Sequence, residues 1–164
     1  MPTVETQLIE KLDPIAIAGI RVRTNNKEEM THRAKIPGFW QRFMNEQIPS
    51  KLPNAVGSEV YALYYNYESD SDGDYTLLLG VRVESLDIVP EGMTGILIPG
   101  GKYLKCTSEK GSIPQIVYKV WDEVWDREGT FTEGKRAFSY DFELYDERAA
   151  SEDGAQIDIY LSLK

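Results

Sequence analysis

Apolar and polar positions divide this chain into short strands and two amphipathic helices. Residues 4–24 read as strand: Val4 to Glu10 leads in, and Ile15 to Arg23 is β-branched and apolar enough to be buried. The polar run Asn25-Asn26-Lys27 ends it. A helix is predicted over 37–48, because Pro37 suits a first helical position and Phe39, Trp40, Phe43 and Met44 recur at helical spacing. Pro49 and Pro53 close it. Residues 58–67 and 75–84 read as a hairpin across the acidic turn 68–74. From Leu86 to Pro99 the punctuation by Pro90, Gly92 and Gly95 predicts a connector without a strand. A second unit follows, beginning with a strand over 100–107. A helix over 114–127 carries the stripe Ile116, Val117, Val120, Trp121, Val124 and Trp125, with Gly129 and Gly134 marking its exit. Strands over 136–146 and 156–163 form the last hairpin.

The order strand, helix, strand, strand therefore occurs twice, and the residues echo one another. Tyr61-Ala-Leu-Tyr-Tyr-Asn-Tyr-Glu68 is answered by Tyr140-Asp-Phe-Glu-Leu-Tyr-Asp-Glu147, and Ile36-Pro37 by Ile113-Pro114. The expected fold class is α+β: duplicated β-α-β-β units, residues 1–85 and 95–164, built as antiparallel sheets or hairpins. Helices would lie on one face, with a groove between the repeats. In this alignment Glu143 stands where the first unit has Tyr64, so one copy carries a carboxylate that the other lacks.

Period-two parity sorts the strand faces. In the strand over 136–146 Phe138, Tyr140, Phe142 and Leu144 share one face, and Ser139, Asp141, Glu143 and Tyr145 the other. In the last strand Ile157, Ile159, Leu161 and Leu163 alternate with Asp158, Tyr160 and Ser162. Both apolar sets are expected to cover the helices, leaving the other faces to water or to a cleft. The same parity places Ala62, Tyr64 and Asn66 with Glu143, and Tyr103 can join them. The candidate site is Glu143 with Tyr64, Tyr103, Tyr145 and Tyr160, an acid among aromatic walls. The competing account is a solvated sheet face whose Tyr rings cover cross-strand neighbours. Trp40, on the apolar helix face, reads as core ahead of ligand wall, while Trp121 and Trp125 read as core.

Charge narrows the function. With 27 acids against 18 bases the formal net charge is -9, which disfavours phosphate-backbone binding and favours cations. No nucleic-acid partner is expected. A single Cys, Cys106, leaves no internal disulfide and no Cys-based zinc site, and the one His, His32, sits in a polar stretch unsuited to a catalytic triad. The turn from Glu68 resembles the start of a calcium loop, but the twelfth position is Leu79 rather than Glu. No metal and no cofactor are expected. Asp141 and Glu143, two apart on one face, form a conceivable carboxylate pair, although such pairs usually come from different elements. There is no signal-peptide pattern and no apolar run near the roughly 20 residues that span a bilayer, so a cytoplasmic bacterial protein without a membrane partner is expected.

The ordered segments Pro-Ile-Ala-Ile-Ala-Gly-Ile (14–20), Gly-Phe-Trp (38–40), Tyr-Ala-Leu-Tyr-Tyr-Asn-Tyr-Glu (61–68) and Gly-Asp-Tyr-Thr-Leu-Leu-Leu-Gly-Val (73–81) resemble the GyrI-like family, the AraC-type effector-binding domains. Ile-Pro-Gly-Gly-Lys-Tyr (98–103), Trp121, Phe-Glu-Leu-Tyr-Asp (142–146) and Ile-Asp-Ile-Tyr (157–160) extend the resemblance over nearly the whole chain. It implies a ligand groove between two repeats that takes lipophilic, often cationic small molecules, as in xenobiotic sensing or sequestration. It implies Glu143 as the key acid, Tyr160 as the C-terminal aromatic and Trp40 as the tryptophan of the first helix. No DNA-binding motif accompanies these segments, so the resemblance is to a stand-alone member. Two alternatives come with it: hydrolysis of strained cyclopropanoid toxins, with Glu143 and Tyr160 as catalytic groups, and modulation of a protein partner such as DNA gyrase.

Overall fold

The computed structural model describes residues 4–69, 73–126 and 135–164. The centre of the acidic turn considered for calcium, residues 70–72, lies outside them, as do Gly129 and Gly134. Eight strands form one antiparallel sheet: β1 (Glu5–Leu12), β2 (Ile15–Thr24), β3 (Ala55–Tyr65), β4 (Tyr75–Val83), β5 (Thr94–Ile98), β6 (Gly101–Thr107), β7 (Tyr140–Tyr145) and β8 (Asp158–Ser162). Their order is β1-β6-β8-β7-β3-β4-β2-β5. Among the described residues three α-helices accompany the sheet: the single turn α1 (Asn26–Glu29), α2 (Ile36–Asn45) and α3 (Gln115–Asp126).

The fold class agrees with the sequence reading: β2-α2-β3-β4 and β6-α3-β7-β8 repeat one order and meet at the central β3–β7 pair. Ala62 pairs with Glu143 and Tyr64 with Asp141. Exchanging the two halves by the alignment of the echo turns one of these pairs into the other, so the duplication is also a two-fold relation in space. The sheet is continuous rather than two sheets, and the connector predicted from 86 to 99 contains β5.

Each repeat lends its leading strand to the other. β1 runs into β2 but pairs with β6, and β5 runs into β6 but pairs with β2. β1 and β5 are the two edges of the sheet, yet Asp13-Pro14 alone joins β1 to β2. Such a link spans no more than roughly 11 Å. The sheet must curl until its edges meet at this corner. There a Cβ on Gly100 would lie 2.5 Å from the Leu12 carbonyl oxygen, so only glycine fits.

Curling gives the sheet two buried faces. On the outer one Phe39 and Phe43 of α2 pack on Ile20, Ala62, Leu77 and Leu79. On the same face Ile116, Val120 and Val124 of α3 pack on Cys106, Ile157, Ile159 and Leu161. The register confirms that both helices share this face, since Ile20, Leu79, Ala62, Glu143, Ile159 and Cys106 are successive cross-strand partners. Inside the curl lie Ile17, Tyr61, Leu63, Leu78, Tyr103 and Phe142.

This register corrects the expected faces of the last hairpin. Phe142 pairs with Tyr160 and Glu143 with Ile159, so the two apolar sets lie on opposite sides of the sheet. Only the Ile159 set covers a helix; Phe142 fills the curl. Phe138 is not in the strand at all, its φ of 51° being left-handed, and Met44 is 65% exposed rather than part of the packed face of α2.

Candidate functional site

A cavity of about 790 Å³ opens between α2 and α3, within the range of small-molecule pockets. Its floor is the β3–β7 centre and its walls are aromatic: Trp40 from α2, Tyr64 from β3, Tyr75 from β4, Trp121 and Trp125 from α3, and Tyr145 from β7. The helices hold these rings because their buried faces anchor them to the sheet. Phe39 and Phe43 pin α2 so that Trp40 turns edge-on to Tyr145, ring centroids 5.1 Å apart. Val120 and Val124 pin α3 so that Trp121 meets Tyr64 edge-on at 5.5 Å and stacks on Trp125 at 6.0 Å. The N-terminus of α2 is held by Glu29, whose carboxylate accepts the backbone N–H of Lys35 (2.9 Å) and of Ile36 (3.0 Å).

Glu143 lies at the base of this cavity, 2% exposed. Three uncharged donors hold its carboxylate. Tyr64 O–H (2.8 Å) and Trp121 Nε1–H (2.7 Å) donate to Oε2, and Tyr145 O–H (2.6 Å) donates to Oε1. Burial raises its pKa, and the three hydrogen bonds oppose that shift without any contribution from a cation. The same burial, with the carboxylate alongside, pushes the Tyr64 and Tyr145 hydroxyls well above their ordinary range, so they remain donors. Among the described residues this acid is thus kept in an apolar pocket with hydrogen bonds but without a counter-ion.

Asp141, its neighbour on the strand face, has the opposite arrangement. Its carboxylate pairs with Arg136 at 2.8 Å and also accepts Tyr67 O–H, Ser162 N–H and Ser162 O–H. Every lone-pair site is occupied. Asp141 therefore has no free site for proton transfer beside Glu143, and the two are not a working carboxylate pair.

Of the residues expected from sequence, Glu143, Trp40, Tyr64 and Tyr145 line the cavity together. Tyr103 and Tyr160 do not. Both are inside the curl: Tyr160 stacks on Phe142 at 4.6 Å, and Tyr103 meets Phe142 edge-on at 6.0 Å while donating to the Pro99 carbonyl. Tyr160 sits on the face of Phe142, opposite Glu143, so no Glu143–Tyr160 pair forms. Asn66 lies beyond β3, with a left-handed φ of 55°. Sequence reasoning missed Trp121, Trp125, Tyr75, Tyr67 and Arg136. The one available signal was the indole N–H of Trp121, which needs an acceptor if buried. Cys106 fills the core beneath α3, and burial pushes its thiol up to about 12. Among the described residues no group of His, Cys, Asp and Glu is placed to hold a metal ion, and no helix is long and apolar enough to cross a membrane.

Comparison with known proteins gives this geometry relatives. YobU of Bacillus subtilis (strain 168), whose name carries a provisional transcriptional-regulator assignment, is 36% identical over 157 residues, covering 95% of this chain and 96% of its own. The integron cassette protein VCH_CASS2, from the mobile metagenome of Vibrio cholerae, is 28% identical with a TM-score of 0.76, over 97% of this chain and 95% of that one. SAV2435, solved bound to tetraphenylphosphonium, shares the fold at 21% identity and a TM-score of 0.77, over 98% and 94% of the two chains. Residues 8–163 match the family described as Cass2, integron-associated effector binding protein, and the chain belongs to that family of small-molecule effector-binding proteins.

Proposed function

We propose that this protein binds lipophilic cations between α2 and α3, as a sensor or sequestering protein for xenobiotics, with Glu143 as the counter-charge. The observation that carries the reading is the buried Glu143 carboxylate, held by three neutral donors in an aromatic cavity. An unpaired buried charge is costly, and an entering cation offsets that cost by pairing with it. The faces of Trp40, Trp121 and Tyr145 add cation–π attraction, about 0.5–2 kcal/mol per ring. One charge and several ring faces impose few directional demands, which suits ligands of varied shape. That SAV2435 holds a lipophilic phosphonium on the same fold supports this reading.

All three tryptophans, Trp40, Trp121 and Trp125, line the cavity, so intrinsic fluorescence reports occupancy directly. Titration with tetraphenylphosphonium is expected to quench the wild type with a micromolar Kd. Glu143→Gln is expected to weaken binding tenfold or more, about 1.4 kcal/mol. Equal affinity in both proteins, or none in either, would remove the cationic reading.

A further inference from the structure

The cavity has a second polar end. Arg136 lines it and is 3% exposed. Its Nη2 donates to Asp141 Oδ2, and its guanidinium carbon stands 4.3 Å from the centroid of the Phe138 ring. Among the described residues its Nε and Nη1 groups are buried and meet no acceptor. Asp141 has no site left for them: Oδ2 also takes the Tyr67 hydroxyl at 2.6 Å, and Oδ1 takes the Ser162 N–H at 2.8 Å and hydroxyl at 3.0 Å. A guanidinium carries its donors in a rigid planar fork. Fixed by the carboxylate and the ring, this one cannot swing its spare N–H groups to water without breaking the ion pair. Buried donors without acceptors are unfavourable, so an acceptor brought in by a ligand is favoured there.

The two ends differ in charge. At Asp141 the carboxylate is balanced by Arg136, whereas Glu143 meets no cation among the described residues. The two acids share a strand face, on the order of 7 Å apart. A ligand therefore meets a negative end at Glu143 and a hydrogen-bond-donating end at Arg136.

We propose that Arg136 recognises a carbonyl or carboxylate oxygen on a ligand in this cavity, and so favours, among lipophilic cations, those carrying one on the order of 7 Å from the cationic centre. This rests on the cation reading above for one end of the ligand only. The test compares three ligands by tryptophan quenching: tetraphenylphosphonium, carboxybutyl-triphenylphosphonium and the neutral ketone benzophenone. Each is titrated into wild type, Glu143→Gln and Arg136→Met. Arg136→Met leaves the Asp141 carboxylate unbalanced, which attracts either cation, so the carboxybutyl cation is expected to lose tenfold or more relative to tetraphenylphosphonium. Glu143→Gln should weaken both cations and leave benzophenone unchanged. An equal change for both cations in Arg136→Met overturns the proposal. If no cation binds the wild type, the cation reading fails, and benzophenone decides this one: binding that requires Arg136 supports it, and binding that ignores Arg136, or no binding, overturns it. Arg136→Met leaves Asp141 without its partner and can fail to fold, so the wild type supplies a second measurement. The Arg136 Nε–H resonance should shift and exchange more slowly with the carboxybutyl cation, or with benzophenone where no cation binds. An unmoved resonance with both ligands overturns the assignment.

Discussion

At the scale of the residue, Glu143 sets stability against binding. Burial raises its pKa above the ordinary 4.5, so the folded chain binds that proton more tightly than the unfolded chain does. The protonated group therefore favours folding fully below the ordinary value, and that contribution is lost as pH rises through the raised one. At pH 7 an ionised Glu143 weakens the empty protein. Glu143→Gln, which keeps an acceptor for Trp121, is expected to stabilise the free protein at pH 7 and to raise its Tm. Calorimetry without ligand checks this, and a lower Tm would mean that the three hydrogen bonds outweigh the desolvation. Cation binding has the opposite pH dependence, because it needs the carboxylate. Tetraphenylphosphonium has no titrating group, so its affinity for the wild type should fall as pH drops through the raised Glu143 pKa, while Glu143→Gln stays flat. A flat wild-type profile would place the charge that attracts the cation elsewhere.

At the scale of the element, the cavity depends on β2 and β4 lying close enough to carry α2. Gly19 and Gly80 are cross-strand partners. An ideal Cβ would lie 1.9 Å from the Leu79 carbonyl oxygen at Gly19 and 2.3 Å from the Ala18 carbonyl oxygen at Gly80. Those obstacles are backbone and cannot rotate away. Gly80→Ala should cost about 3 kcal/mol, the upper end of ordinary overpacking, and lower Tm by roughly 6–12 °C. Gly38, inside α2, has open space around its missing Cβ, so Gly38→Ala should instead stabilise by about 0.5–1 kcal/mol. A thermal melt that ranks the two substitutions the other way would reject this account of the glycines. The two long helices were legible because their stripes recur at helical spacing, and the duplication because Tyr64 and Glu143 fall in equivalent strands. β5 was hidden by Gly95 and its Pro- and Gly-rich flanks. Tyr103 and Tyr160 were placed on the wrong face because parity within a strand does not say which face meets a helix when both are buried. Trp121 passed for core because its ring packs in the core, yet the same ring walls the cavity and its N–H holds Glu143.

At the scale of the molecule, the curl and the exchanged leading strands hold the two halves together at the β3–β7 centre and at the corner of residues 12–15 and 98–101. Ligand binding is then expected in a cavity that already exists, with electrostatics acting at two ranges. The net charge of -9 attracts cations from a distance, and salt screens that attraction beyond a Debye length, about 8 Å at physiological ionic strength. The contact with Glu143 is buried and much less screened. Raising ionic strength should therefore slow association of tetraphenylphosphonium several-fold while leaving its dissociation rate nearly unchanged, as read by stopped-flow quenching of the cavity tryptophans. Glu143→Gln should show the reverse, a faster dissociation with a similar salt dependence of association, because it removes one of 27 acids but the buried one at the cavity floor. If salt acted chiefly on dissociation in the wild type, the bound cation would be in contact with water, and the buried carboxylate would not be its partner.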